Sequence, residues 1–212
     1  MDLQTNLVLT CITITASTLL YTGIWLRPAK FSDWVCAGLR PVRVMALLAH
    51  TLKLLQFTLI AVQVNFALTG SGEKGAPRDK LISELYSGDF RTHARLAGCL
   101  ALFVFGQTLN ARVYLLLGEG GVYYGNKLEP DVKRPWVTAW PYSSQWLRHP
   151  QYLGSSLTLL GFYGARLIHA VPALCWAVNY AFLALLESDL LFSSATAPSG
   201  GQAAAAAKKK GP

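Results

Sequence analysis

Tyr152-Leu-Gly-Ser-Ser-Leu-Thr-Leu-Leu-Gly-Phe-Tyr-Gly-Ala-Arg-Leu-Ile-His-Ala-Val-Pro-Ala-Leu-Cys-Trp-Ala-Val-Asn-Tyr-Ala-Phe-Leu-Ala-Leu-Leu-Glu187 decides the fold. It reads as two apolar segments, Tyr152 to Ala170 and Val171 to Leu186, divided near Pro172. A proline suits the first turn of a new helix better than a helix interior, where it breaks a hydrogen bond. The expected arrangement is a helical hairpin, which returns Glu187 to the membrane face of Gly154.

Three earlier segments extend this pattern: Leu7 to Trp25, Val42 to Leu68, and Arg95 to Leu117, the last expected to stop at Gly118. The first is roughly 28 Å long as a helix, enough to cross a hydrocarbon core. No Lys or Arg precedes it, so a spanning helix is expected rather than a cleaved signal peptide. Arg27 to Pro41 reads as a polar loop with Trp25, Phe31 and Trp34 as interface anchors, and Gly70 to Arg91 as a longer loop.

The composition agrees: 52% of the 212 residues are hydrophobic and 14% charged, and mean hydropathy is +0.33. The sequence therefore predicts an all-α fold, a polytopic membrane bundle of four to five membrane segments within residues 1–193. Residues 194–212 read as a disordered, low-complexity basic tail.

Net charge is +8, yet the basic residues are spread over loops and the Lys208-Lys209-Lys210 run. That suits anionic lipid rather than nucleic acid. The tail also favours a cytosolic C-terminus. Cys11, Cys36, Cys99 and Cys175 are isolated, with no zinc-like spacing, and read as packing residues; no metal site is expected.

Ionisable groups within apolar segments cost roughly 2.5 to 3.5 kcal/mol each at mid-depth, so they ask for a partner. His50, Lys53, Arg112 and Glu187 stand out. His50, Lys53 and Phe57 share one helical face, as do Gln107, Asn110 and Tyr114. Lys53 and His50 fit either snorkelling or interhelical hydrogen bonding, and Arg112 fits either the interface or a cofactor carboxylate. Glu187, at the negative end of its helix, calls for something positive nearby, such as a bound cation or Arg148.

Between the third segment and the hairpin lies Leu117-Gly-Glu-Gly-Gly-Val-Tyr-Tyr-Gly125, then Trp136-Val-Thr-Ala-Trp-Pro-Tyr142, then Arg148-His-Pro-Gln-Tyr-Leu-Gly154. Gly118, Gly120 and Gly121 fit a helix cap or a close backbone approach to a ligand. Pro150 opens the next helix and places His149 at its start, where a neutral imidazole can accept a proton from an ammonium group. Trp136, Trp140, Tyr142, Trp146 and Tyr152 fit an interfacial belt or a cage for an alkylammonium head group.

These blocks, with Gly106-Gln-Thr-Leu-Asn-Ala-Arg-Val-Tyr114, His149-Pro-Gln-Tyr-Leu-Gly-Ser155 and Leu186-Glu-Ser188, resemble the phospholipid methyltransferases, above all their plant-type branch. Val44-Met-Ala-Leu-Leu-Ala-His-Thr-Leu-Lys-Leu-Leu-Gln56 extends the likeness to most of residues 21 to 189. The resemblance implies a membrane enzyme that uses S-adenosylmethionine to methylate phosphatidyl-N-methylethanolamine through the dimethyl lipid to phosphatidylcholine. In the plant-type members it implies little or no action on the unmethylated lipid.

The resemblance carries Gly106 and Glu187 over to the cofactor site; because methyl transfer needs a neutral amine, His149 is the first candidate base and Glu187 the second, and the cofactor is expected near Gly106, Gln107, Arg112, Gly118, Gly120, Gly121, Tyr152, Gly154 and Glu187. The acceptor would pass Tyr124, Trp136 and Arg148. Two family positions depart: a glycine is replaced by Val104, and the second acid of a pair by Ser188. Gly106, Gly118, His149 and Glu187 are expected to line one cavity. Lys209-Lys210-Gly-Pro212 resembles a di-lysine retrieval signal, which implies the endoplasmic reticulum membrane.

Three rivals share parts of the pattern. A carboxyl methyltransferase of prenylated cysteines has a similar His-Pro-x-Tyr-x-Gly block, although the Gly-Glu-x-Gly-x-Tyr-Tyr-Gly stretch favours the lipid enzyme. A membrane sterol reductase would need NADPH instead. A non-enzymatic scaffold would scatter the candidate residues over separate surfaces.

Overall fold

The computed structural model describes residues 2–35, 38–69, 82–83, 86, 88–132, 137–144 and 147–188, apart from the Trp34 side chain. The expected anchor at Trp34, Cys36, Trp136, Trp146 and the tail therefore lie outside the described side chains. Every regular element described is a helix: α1 (Leu3–Leu26), α2 (Pro28–Val35), α3 (Pro41–Thr69), α4 (Phe90–Val122), α5 (Gly125–Leu128), α6 (Pro150–Gly164) and α7 (Ala170–Glu187).

Four helical stretches are long and apolar enough to cross a membrane: Leu3–Leu26, Pro41–Thr69, Phe90–Leu128 and Ala170–Glu187. Their outward faces carry Leu19, Leu47, Leu54, Leu100, Leu115, Leu174 and Val178, all more than 60% exposed. In water so large an apolar surface would drive association, whereas in a bilayer it faces lipid.

α6 has 15 residues, about 22 Å, shorter than a hydrocarbon core. The expected segment Tyr152 to Ala170 is thus corrected to a helix that starts at Pro150 and stops at Gly164. Arg166 then takes a positive φ of 60°, and Arg95 donates to the Gly164 carbonyl at 2.6 Å. His169 caps α7 by accepting from the Val171 amide at 3.3 Å, and Pro172 falls in the first turn. The hairpin places Glu187 beside the start of α6.

The closest pairing in the bundle is α4 with α6, and glycine makes it possible. A methyl added at Gly154 would sit 2.7 Å from the Gly106 carbonyl oxygen, and one at Gly161 would sit 2.7 Å from the Cys99 carbonyl oxygen. Small residues at such crossings let helix backbones approach where lipid supplies no hydrophobic drive. Gln107 Nε2 donates to Thr158 Oγ1 across the same seam at 3.0 Å.

α1 packs on both α3 and α7: Ile14 joins Ala173 and Trp176 of α7 in an apolar cluster, and α3 is met through a buried polar stripe absent from the sequence expectation. Gln56 Nε2 donates to the Thr13 carbonyl at 2.9 Å and to Ser17 Oγ at 2.7 Å. Gln63 Nε2 donates to Thr10 Oγ1 at 3.1 Å, and Asn6 Nδ2 to the Leu59 carbonyl at 3.1 Å. Each such bond between membrane helices contributes about 0.6 kcal/mol.

Two boundaries differ from expectation. Arg27 to Pro41 contains α2, with Phe31 buried against Ile24 and Val42. α4 begins at Phe90, where Asp89 accepts from the Thr92 amide and hydroxyl; those bonds, with the Arg91 amide, hold its carboxyl below the usual range. At its other end α4 runs to Val122 across a break at Gly118, with φ 59° and ψ −174°, a combination open in practice only to glycine.

Candidate active site

Glu187 is the last residue of α7, where four helix carbonyls have no helical partner and a carboxylate is disfavoured. Donors from two other elements offset this. The hydroxyls of Tyr124 and Tyr152 both donate to Glu187 Oε1. His149 Nδ1 lies 3.4 Å from Oε2, and the Glu187 side chain is 13% exposed. Where a bound cation or Arg148 was expected, the structure sets two neutral phenol donors and an imidazole beside the carboxylate.

The chain geometry that brings these groups together is local. Tyr124 takes a left-handed conformation, φ 56°, immediately before α5, which turns its side chain back under the bundle. The rings of Tyr21 and Trp25 meet it edge-on at 5.5 and 5.6 Å. Pro150 starts α6, so His149 occupies the cap position with its ring free of capping duty. One turn on, Tyr152 stacks on that ring at 5.6 Å and 9°.

His149 has a second partner: its Nε2 lies 3.5 Å from Ser188 Oγ, whose own hydroxyl donates to the Ala184 carbonyl. Both ring nitrogens therefore face oxygen acceptors, at the long end of the hydrogen-bonding range. A proton gained by His149 finds an acceptor whichever nitrogen carries it.

These groups open onto a cavity of about 350 Å³, inside the range of small-molecule sites. Tyr124, His149, Tyr152 and Glu187 form its polar wall; Trp25, Gly121 and Tyr142 line it with Lys127 and Arg148. Lys127 Nζ sits 3.5 Å over the Trp25 ring and donates to the Trp25 carbonyl at 3.4 Å. Burial and the nearby Glu187 push the Tyr142 phenol up to about 12, so it remains a neutral donor.

The other candidates lie elsewhere. Gly106, Gln107 and Gly154 belong to the α4–α6 seam, and Gly118 to the break in α4, so the single cavity expected for Gly106, Gly118, His149 and Glu187 holds only the last two. Gly120 is outside the lining as well. Arg112 Nη2 donates to the Trp140 carbonyl at 3.4 Å and steadies the 137–144 turn. Trp136 is outside the described residues.

Lys127 and Trp25 line the cavity and Ser188 touches His149, although the sequence marks none of them as a site residue and Trp25 only as an anchor. Ser188 was set aside because it is not acidic, although its position beside Glu187 fixed its neighbourhood. Lys127 lies within the short helix α5, three residues after the tyrosine pair, a spacing with no signal of its own.

Residues 94–192 match the sequence model of the phospholipid methyltransferases. Over 90 residues the chain is 43% identical to a phosphatidyl-N-methylethanolamine N-methyltransferase of Arabidopsis thaliana, covering 41% of this chain and 49% of that protein. The chain thus spans about half the length of the curated relative it matches. No solved structure matches it. The matched stretch holds Tyr124, His149, Tyr152 and Glu187 together, so the part of this all-helical bundle that is similar to the phospholipid methyltransferases is the part that builds the polar wall of the cavity.

Proposed function

We propose that this protein is an S-adenosylmethionine-dependent N-methyltransferase that carries phosphatidyl-N-methylethanolamine through the dimethyl lipid to phosphatidylcholine, in the endoplasmic reticulum membrane with its cavity on the cytosolic side. The observation that carries the reading is the Glu187 cluster at the wall of a cavity among membrane helices. The matched family segment and the name of the Arabidopsis relative support the reaction class.

The residues present fit the cofactor. It combines a cationic sulfonium, a carboxylate and an aromatic base, and the lining combines anionic Glu187, cationic Lys127 and Arg148, and the rings of Trp25 and Tyr124. When bound, S-adenosylmethionine supplies an electrophilic methyl group. Glu187 would face positive charge, and Lys127 or Arg148 would hold the carboxylate. Gly121 would admit close backbone approach at the cavity wall.

The chain's own work is alignment and proton removal. An ethanolamine head group reaches the site as an ammonium ion, and only the amine with a free lone pair can attack a methyl carbon. His149 takes the proton on its unprotonated ring nitrogen, where the ammonium displaces one of the two long contacts to Glu187 Oε2 and Ser188 Oγ, and the other contact accepts from the ring's existing N–H. Tyr124 and Tyr152 hold the carboxylate in place through both methyl additions.

The test is to incubate membranes containing the protein with methyl-labelled S-adenosylmethionine and, in separate reactions, phosphatidylethanolamine and its monomethyl and dimethyl derivatives. Label enters the last two far faster than the first. Transfer to none of them would refute the assignment.

A further inference from the structure

Lys53 lies outside the family-matched stretch, twelve positions into α3, or about 18 Å from its start. That is more than three helical turns from the nearer end of the helix. The side chain turns inward: Nζ donates to the Tyr180 hydroxyl at 2.5 Å and sits 4.3 Å from the Trp176 ring centroid and 5.1 Å from that of Tyr180. Among the described residues no carboxylate forms an ion pair with it. A lysine so placed is a cation held by dipoles and rings, with its counter-charge left to come from elsewhere.

The surroundings say where that charge comes from. The start of α3 shares a core with Val122, Tyr123 and Leu128 beside the cavity, so Lys53 lies inward of the cavity along the membrane depth. A strip of polar groups joins the two places. The Tyr180 ring packs on Tyr152 at 4.7 Å, and Tyr152 donates to Glu187. One turn before Lys53, His50 Nε2 lies 3.1 Å from the Tyr123 hydroxyl, itself 3.0 Å from that of Tyr114. α3 and α4 pack lightly on each other, Phe57 of α3 stacks on Trp176 with half its surface still exposed, and Tyr114 at the far end of the strip is also exposed, so both ends of the strip border the lipid-facing surface.

We infer that Lys53, with the Tyr180 hydroxyl, is the subsite for the phosphodiester of the acceptor lipid, reached laterally between α3 and α4. The inference rests on the proposed lipid methylation, because the order of groups in the lipid supplies its geometry. The amine is the outermost group, the phosphate comes next, and the acyl chains lie deepest. An amine held at His149 and Glu187 therefore points its phosphate inward toward Lys53, and the single negative charge of a phosphodiester matches the single ammonium. The polar strip is the track along which the head group lies.

The test compares wild type with Lys53→Met, Lys53→Arg and Tyr180→Phe in detergent micelles. For Lys53→Met the KM for phosphatidyl-N-methylethanolamine rises at least about ten-fold, the loss of one charge-assisted hydrogen bond, while the KM for S-adenosylmethionine stays within about two-fold of wild type, less than a neutral hydrogen bond would change it. Lys53→Arg keeps most of the lipid affinity, and Tyr180→Phe shows a smaller rise. An unchanged lipid KM in Lys53→Met would overturn the subsite, and so would a rise confined to the cofactor KM, which would assign Lys53 to the cofactor carboxylate.

A second measurement needs no turnover. Brominated phosphatidylmethanol, which has the phosphate but no amine, quenches tryptophan fluorescence of the wild type more strongly than brominated diacylglycerol, because Trp176 lies beside Lys53. The difference disappears in Lys53→Met and persists in Lys53→Arg. If wild type transfers no methyl group yet shows this Lys53-dependent quenching, the subsite stands and the methylation reading fails. Equal quenching by the two lipids in wild type would overturn the subsite.

Discussion

Tyr152 in the first turn of α6 donates its phenol to Glu187 at the end of α7, thirty-five positions away, and so ties the two open ends of the hairpin together. The same carboxylate oxygen accepts from Tyr124, which brings the segment after α4 to the same point. Glu187 is thus the atom-level junction of α4, α6 and α7. The groups proposed to react and the joint of the bundle are the same residues.

Removing either phenol tests that junction. Tyr124→Phe and Tyr152→Phe each delete a hydrogen bond to a charged group, worth about 1.5 to 3 kcal/mol. Each variant should lower kcat/KM by roughly ten- to hundred-fold if the bond persists in the transition state, and the double variant should lose less than the product of the two, because both act on one oxygen. Purely additive losses would mean that the two tyrosines act separately.

The part of His149 is readable from pH. If it removes the acceptor's proton, His149→Gln loses turnover near neutrality, by about 10² to 10⁴-fold for a general base. Its activity then climbs steadily as pH rises, since solvent deprotonates the amine in its place. Wild type shows a flatter response over the same interval. Equal loss at every pH would assign His149 a positioning role through Glu187.

Gly154→Ala tests the seam that holds the site in register. The new methyl would stand 2.7 Å from the Gly106 carbonyl oxygen, fixed in the α4 backbone, and 3.0 Å from Asn110 Oδ1. Overpacking of this kind costs about 1 to 3 kcal/mol. The thermal unfolding midpoint in detergent should fall by several degrees, as estimated from the usual entropy of unfolding. An unchanged midpoint would show that α4 and α6 can separate freely.

Much of this architecture was legible in the chain. The apolar runs and Pro172 gave the membrane class and the hairpin, because hydrophobic length and a proline's missing donor act locally. The residues around Glu187 were nominated by motif, yet their partners were not, because Tyr124 and Tyr152 meet Glu187 only after three helices have packed. α2 looks like loop in the sequence, since eight residues with Lys30 and Asp33 among them carry little signal until Phe31 is buried against Ile24 and Val42. Gly106 was assigned to a ligand because close approach to a backbone and close approach to a cofactor ask for the same residue. For Lys53 the sequence left snorkelling and interhelical bonding open, and only the turn toward Tyr180 and Trp176 separates them.

The most direct test of the central claim is the rate of labelled methyl transfer to phosphatidyl-N-methylethanolamine by equal amounts of wild type and Glu187→Gln in membranes. Glutamine keeps the shape and removes the charge that Tyr124, Tyr152 and His149 converge on. The account predicts transfer by wild type and a loss of at least about a hundred-fold in the variant, the scale of a buried charged group stripped of its function. Equal rates in the two would contradict it.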